Sequence, residues 1–327
     1  MKTIKLPLLY FVILSSLVLL FSMTSLFVGA SDISMADIIH TLFERGEYDF
    51  IINQYRLPRI FLALGVGAGL GLSGALIQGV IRNPLASPDL MGISAGAGLA
   101  ATTLLVFYAA APVYLLLLTA LSGGLIAAAI ILFIAYKTRP TPMRLALIGI
   151  AISTFLSSGI DFLMIVNPIE INTAMVWLTG SLWGRNWTQV PLIWGTLAVI
   201  IPFAFWLAWR LDVMGLGEDC ATSLGIRPSK LQLMALLTAV ILASISVAVA
   251  GTIAFIGLLA PHLARMLFGH HHKYLIPSSA LLGGLMLIIA DTLARGLQPP
   301  LELPAGVLTS LIGAPYFIFL LQRYKAW

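Results

Sequence analysis

Runs of about 20 mainly apolar residues, the length that crosses a bilayer as a helix, recur along the whole chain. Ten can be traced, near 6–28, 58–80, 92–110, 113–136, 144–166, 191–209, 231–250, 252–268, 276–294 and 305–322. What separates them is short, so no soluble domain fits between them. The alternating pattern of a membrane β-barrel strand is absent. The sequence therefore predicts an all-α integral membrane protein of about ten transmembrane helices, one domain over residues 1–327. Composition agrees. Charged residues are 9% of the 327, against roughly 25% in soluble domains. That excludes a soluble enzyme, a disordered chain and a nucleic-acid-binding module. A single cysteine, Cys220, excludes a disulfide framework and a cysteine-based metal site.

The first run could be read as a secretory signal, with Val28-Gly29-Ala30 resembling a cleavage site. Its apolar stretch is longer than the 7–15 residues of a signal core, so a retained first helix is expected. Lysine and arginine set the orientation. Lys2, Lys5, Arg82, Lys137, Arg139, Arg144, Arg210, Arg227, Lys230, Arg265, Lys273, Arg323 and Lys325 fall on the side shared by both termini, and Arg45, Arg56, Arg59, Arg185 and Arg295 on the other. This asymmetry predicts cytoplasmic termini.

The sequence holds no G-x-x-x-x-G-K-[ST] loop and no H-E-x-x-H, and suggests no catalytic constellation. Intramembrane ionisable groups are functional candidates by default. Here they are Asp161, His262, and Asp291 with Arg295. They are too few for the carboxylate-lined path of an ion-coupled carrier. Transport driven from outside the chain, or a passive pore, is the expectation. His262 reads as a structural hydrogen-bond partner, and His270-His271-His272 as a solvated loop rather than a metal site. Gly65, Gly67, Gly69 and Gly71 form two overlapping G-x-x-x-G pairs, and Gly92 and Gly96 another. Such spacing permits close helix approach, either within the chain or at a dimer seam.

Four segments combine into a pattern. They are Arg56-Leu57-Pro58-Arg59 before a glycine-rich span, Arg82-Asn83-Pro84-Leu85-Ala86-Ser87-Pro88-Asp89-Leu90-Met91-Gly92, Gly251-Thr252 through Ala260-Pro261-His262-Leu263-Ala264-Arg265, and Pro299-Pro300-Leu301-Glu302-Leu303-Pro304-Ala305-Gly306 with Gly313-Ala314-Pro315-Tyr316-Phe317. From about residue 50 to the end, the chain resembles the permease subunits of bacterial ATP-binding-cassette importers for iron–siderophores, haem and cobalamin, the type II importers. The segment from Trp177 to Trp187 is most similar to ferric-siderophore members, ferric dicitrate permeases above all.

The resemblance implies a transporter subunit without catalytic residues, cofactor or metal of its own. It implies a second permease subunit, identical or different, two cytoplasmic ATP-binding subunits, and an extracytoplasmic substrate-binding protein, all at a bacterial cytoplasmic membrane, with no nucleic-acid partner. Within the 210–230 loop, Gly217, Glu218, Asp219, Ala221 and Gly225 resemble the coupling helix presented to the ATPase. A surface helix capped for its own sake would read the same. Arg56, Arg59 and Arg295 are implied to dock acidic residues of the binding protein. The alternatives are lipid-headgroup or structural contacts for Arg56 and Arg59, and an intrahelical pair with Asp291 for Arg295. The 171–186 segment, the turn at Thr141 and Pro142, and Asp161 in the fifth span are implied to line or gate the path. Haem or cobalamin cargo and an ion-coupled secondary carrier are the other readings.

Overall fold

The computed structural model describes residues 5–31, 33–44, 46–138, 142–168 and 171–323. Among them every regular element is helical. α1 (Lys5–Phe27), α2 (Met35–Phe43) and a π-helical segment (Phe50–Arg56) lead into α3 (Leu57–Ile81). Then come α4 (Ile93–Phe107), α5 (Val113–Thr138), α6 (Pro142–Val166), α7 (Ile171–Leu178), α8 (Val190–Gly215) and α9 (Glu218–Ser223). α10 (Pro228–Ala250), α11 (Ile256–Phe268), α12 (His272–Gly296) and α13 (Ala305–Arg323) complete the chain.

Each of the ten apolar runs lies on one of these helices. Among the described residues seven helices are long and apolar enough to cross a membrane, counting the π-helical segment with α3. The runs of α4, α11 and α13 form shorter apolar helices. They start late because the preceding residues fold into turns. Before α4, Asn83 Oδ1 accepts from the Leu85 amide at 2.9 Å, and a 3₁₀ turn over Asp89–Met91 follows. Before α11, residues 251–255 are not helical.

α3 sits at the centre, packed against α8, α10, α11 and α12. Its membrane window is 83% buried, whereas those of α1 and α6 are 11% buried. The glycine pairs explain how α3 can hold so many neighbours. A Cβ on Gly67 would overlap the Gly283 backbone of α12, and one on Gly71 the Ser279 carbonyl. Gly65 faces Ile193 of α8 and Gly69 faces Ser246 of α10. Gly96 of α4 meets Gly123 and Ala127 of α5. The G-x-x-x-G pairs on α3 thus close contacts inside one chain, where lipid gives no hydrophobic drive and close backbone packing supplies the attraction.

Two tertiary ties fix the ends of the bundle. Ser181 donates from its amide to Ala250 O at 2.8 Å, and Gly306 to Gly180 O at 2.9 Å, so the 179–182 segment joins the end of α10 to the start of α13. At the opposite end Arg82 donates to Met214 O at 2.6 Å, tying the end of α3 to that of α8.

Candidate functional site

Three arginines meet where α1 ends and α3 begins. The last carbonyls of a helix have no partner within it. Here Arg56 Nη1 donates to Leu26 O at 2.5 Å and Arg56 Nη2 to Ser31 O at 2.8 Å. Arg295 Nη1 donates to Val28 O at 3.1 Å, and its Nη2 to Ser25 O at 3.1 Å and Ser25 Oγ at 2.5 Å. Two cations therefore cap the negative end of the α1 dipole. Arg59 makes a different set. Its Nε lies 2.9 and 3.0 Å from the two Asp291 oxygens, and its Nη1 donates to Glu302 Oε2 at 2.6 Å. Arg295 Nε stands 3.3 Å from Asp291 Oδ2, four residues earlier on α12. Tyr55 donates to Glu302 Oε1 at 2.8 Å and accepts from Arg59 Nη1 at 3.0 Å.

All three arginines are at most 2% exposed. The side chains of Arg56, Arg59 and Arg295, expected to dock a partner, are engaged here by the chain's own carbonyls and carboxylates. Their guanidinium groups hold α1, α3, α12 and the 297–303 segment together, and the structural alternatives, including the Arg295–Asp291 pair, are what the side chains make. Sequence reasoning missed Tyr55 and Glu302 as members. Tyr55 lies one helical turn before Arg59, and Glu302 sits inside a motif already singled out, so spacing and charge offered a signal.

At the other end of the bundle, α9 lies between α8 and α10. Gly217 precedes it with φ 122° and Gly225 follows with φ 79°, backbone regions that side chains other than glycine rarely adopt. Glu218 and Asp219 occupy its first turn, where the helix dipole favours negative charge. Both are exposed, while Ala221 is fully buried against the chain's own helices. Glu218 Oε1 accepts from Gln232 of α10 at 3.4 Å. Leu216 and Leu224 flank the element at 73% and 58% exposure, an apolar rim around an acidic turn. The five residues expected here, Gly217, Glu218, Asp219, Ala221 and Gly225, are thus brought into one protruding unit.

The expected gate residues are dispersed. Thr141 lies outside the described residues, and Pro142 starts α6. Asp161 is exposed on α6, and Thr154, Ser157 and Ser158 are exposed at one-turn spacing before it, forming a polar stripe on a membrane-length helix. Near the end of α8, His272 Nδ1 lies 2.6 Å from Asp212 Oδ1, and His271 Nδ1 lies 3.7 Å from Asp212 Oδ2. Two members of the histidine run therefore face a carboxylate. Neither the sequence spacing nor the charge pattern pointed to that pairing.

With this geometry in place, comparison with known proteins decides the family. The model of the FecCD transport family matches residues 17–323. The chain belongs to the FecCD transport family. The Fe(3+)-citrate import system permease protein YfmE of Bacillus subtilis is 48% identical over 319 residues, covering 97% of this chain and 96% of the relative. The Fe(3+) dicitrate transport system permease protein FecD of Escherichia coli is 42% identical, covering 85% and 87%. A solved metal-chelate type ABC transporter in an inward-facing conformation superposes with TM-score 0.84 at 31% identity, covering 95% of this chain and 97% of that one. The FecCD fold therefore accounts for the ten-run frame, and the chain is a multi-pass membrane permease of the ABC transporter class.

Proposed function

We propose that this FecCD permease carries a ferric chelate, ferric citrate first among siderophore-type cargoes, into the cell, driven by ATPase subunits on separate chains. The observation that carries the reading is the 48% identity to a ferric citrate permease across nearly the full length of both chains. The chain itself performs no covalent chemistry. The basic residues orient both termini to the cytoplasm by the positive-inside preference, so α9 faces the cytoplasm and the arginine network faces outward. α9 is then the element an ATPase grips. Its exposed Glu218 and Asp219, its apolar rim and the turns at Gly217 and Gly225 suit a cleft on a moving partner.

A second permease subunit covers the polar stripe of α6. Hydrocarbon would not solvate the Asp161 carboxylate, so this face is read as lining a path between subunits, with Thr141 and Pro142 at its cytoplasmic turn. A soluble binding protein delivers the chelate to the outer face. Arg56, Arg59 and Arg295 act on that docking by holding the shape of the face. Radioiron–citrate uptake into cells tests the whole reading. Deletion of this chain is expected to abolish uptake, and vesicles holding a proton gradient but no ATPase are expected to show none. Uptake from the gradient alone would replace the importer with a secondary carrier.

A further inference from the structure

One cation at the outer face has no match. Arg185 lies in the loop between α7 and α8, and its Nε is inaccessible and without a hydrogen-bond partner among the described residues. No carboxylate there stands at ion-pair distance from it. Burial alone pushes its pKa down to about 10. Arg56, Arg59 and Arg295 all have carbonyl or carboxylate partners, so Arg185 is an exception that calls for a ligand. Around it opens a cavity of about 640 Å³, walled by Phe50, Tyr55, Trp183 and Trp187 and edged by Asn186 and Thr188. Small-molecule sites run from about 300 to 1,000 Å³, with apolar walls and few convergent polar groups.

The wall is held in place before any ligand arrives. Trp187 Nε1 donates to Asn53 O at 2.7 Å. Asn186 Oδ1 accepts from the Thr188 amide at 2.9 Å and hydroxyl at 2.6 Å. The Asn186 amide donates to Gln189 Oε1 at 2.9 Å. A guanidinium beside aromatic walls in an open cleft takes a carboxylate through two parallel hydrogen bonds. Tyr55 lines the same cavity and is bonded to Glu302 and Arg59. A ligand seated there touches the group that links α3 to the 297–303 segment.

We propose that Arg185 anchors a small-molecule site for a polycarboxylate at this face, distinct from the α6 path. The side-chain amide nitrogen of Asn186, whose oxygen is held by Thr188, serves its second carboxylate or hydroxyl. That the polycarboxylate is the citrate of an iron chelate rests on the function proposed above; the site itself does not.

The test titrates citrate, without iron, into the intact permease in phosphatidylcholine nanodiscs and follows tryptophan fluorescence, since Trp183 and Trp187 line the cavity. A saturable change is expected with citrate and not with its neutral triethyl ester. Arg185→Gln should weaken it at least tenfold and Arg185→Lys a few-fold. If Arg185→Gln does not fold, phenylglyoxal labelling of Arg185 in the wild type is read instead, with protection by citrate expected. No saturable response in the wild type, an unchanged response in Arg185→Gln, or labelling that citrate does not slow would overturn the site. So would a response evoked by exchanging the lipid for phosphatidylglycerol and competing with citrate, which would assign the cavity to a lipid headgroup. If citrate binds but radioiron–citrate uptake does not depend on this chain, the cargo reading fails and the site stands. The reverse result removes the site and leaves the cargo reading intact.

Discussion

The two ends of this bundle use charge in opposite ways. At the arginine end, three cations are buried and satisfied by carbonyls of α1 and by Asp291 and Glu302. At the α9 end, two carboxylates stand exposed on a short helix, with only a long hydrogen bond from Gln232 to Glu218 among the described residues. The first arrangement ties the chain's own elements together. The second adds little to the fold and leaves its charge available. The lesson is that the side of the membrane on which a charge falls does not reveal its use. What matters is whether the chain's own carbonyls and carboxylates reach it first.

The sharpest way to break the comparison is Arg59→Gln. It strands Asp291 and Glu302 in a buried site, and removing one partner of a buried pair costs about 3–5 kcal/mol. A large fall in the thermal midpoint of the purified permease is expected. The triple replacement Arg59→Met with Asp291→Leu and Glu302→Met should lose less, since one cation and both carboxylates leave together and Arg295, though it loses Asp291, keeps its bonds to Val28 O and Ser25 O. If the single and triple variants are equally stable, the network is not structural.

Next in size, Arg56→Gln removes donors to the end of α1, with about 1–3 kcal/mol expected from the unsatisfied carbonyls. Proteolysis near residues 28–31 should speed up while the α3–α12 packing persists. A wild-type proteolysis pattern would show that Arg56 does not secure α1.

The smallest stability effect belongs to the other end. Glu218→Gln with Asp219→Asn should shift stability by no more than about 0.5 kcal/mol, as surface changes do. Iron uptake per ATP hydrolysed by the assembled transporter should nevertheless fall several-fold. A stable variant with normal uptake would remove α9 from the coupling role. Ala221→Leu should do the reverse of a surface change and lower stability by about 1–3 kcal/mol, because Ala221 is fully buried and a larger side chain overpacks the site.

Much of the frame was legible beforehand because hydrophobicity is a property of the residues themselves. Every apolar run became a helix, and Gly217 and Gly225 bracket α9 where the loop chemistry put them. The glycine pairs could be read as close-packing sites, but not which helix they would meet. Gly67 against Gly283 and Gly71 against Ser279 are partnerships between residues over 200 positions apart. The arginines show the same boundary. Asp291 and Arg295 sit four apart on one helix, and their pairing could be anticipated. The bonds from Arg56 to Leu26 and from Arg59 to Glu302 join elements far apart in the chain and leave no local trace. Arg185 reads in the sequence as one more basic residue on the sparse side, and only the folded loop strips it of partners.

By itself, then, the sequence determined the membrane as solvent, the number of apolar helices, the asymmetry of charge and the family, since each depends on composition, period or motif along the chain. Tertiary structure alone decided which charges are used internally and which are left for a ligand or partner. The physical reason is that desolvation and pairing are set by neighbours in space. A guanidinium among carbonyls and carboxylates becomes a fastener, and the same group beside aromatic rings, with no carboxylate in reach, is left for an outside partner to satisfy.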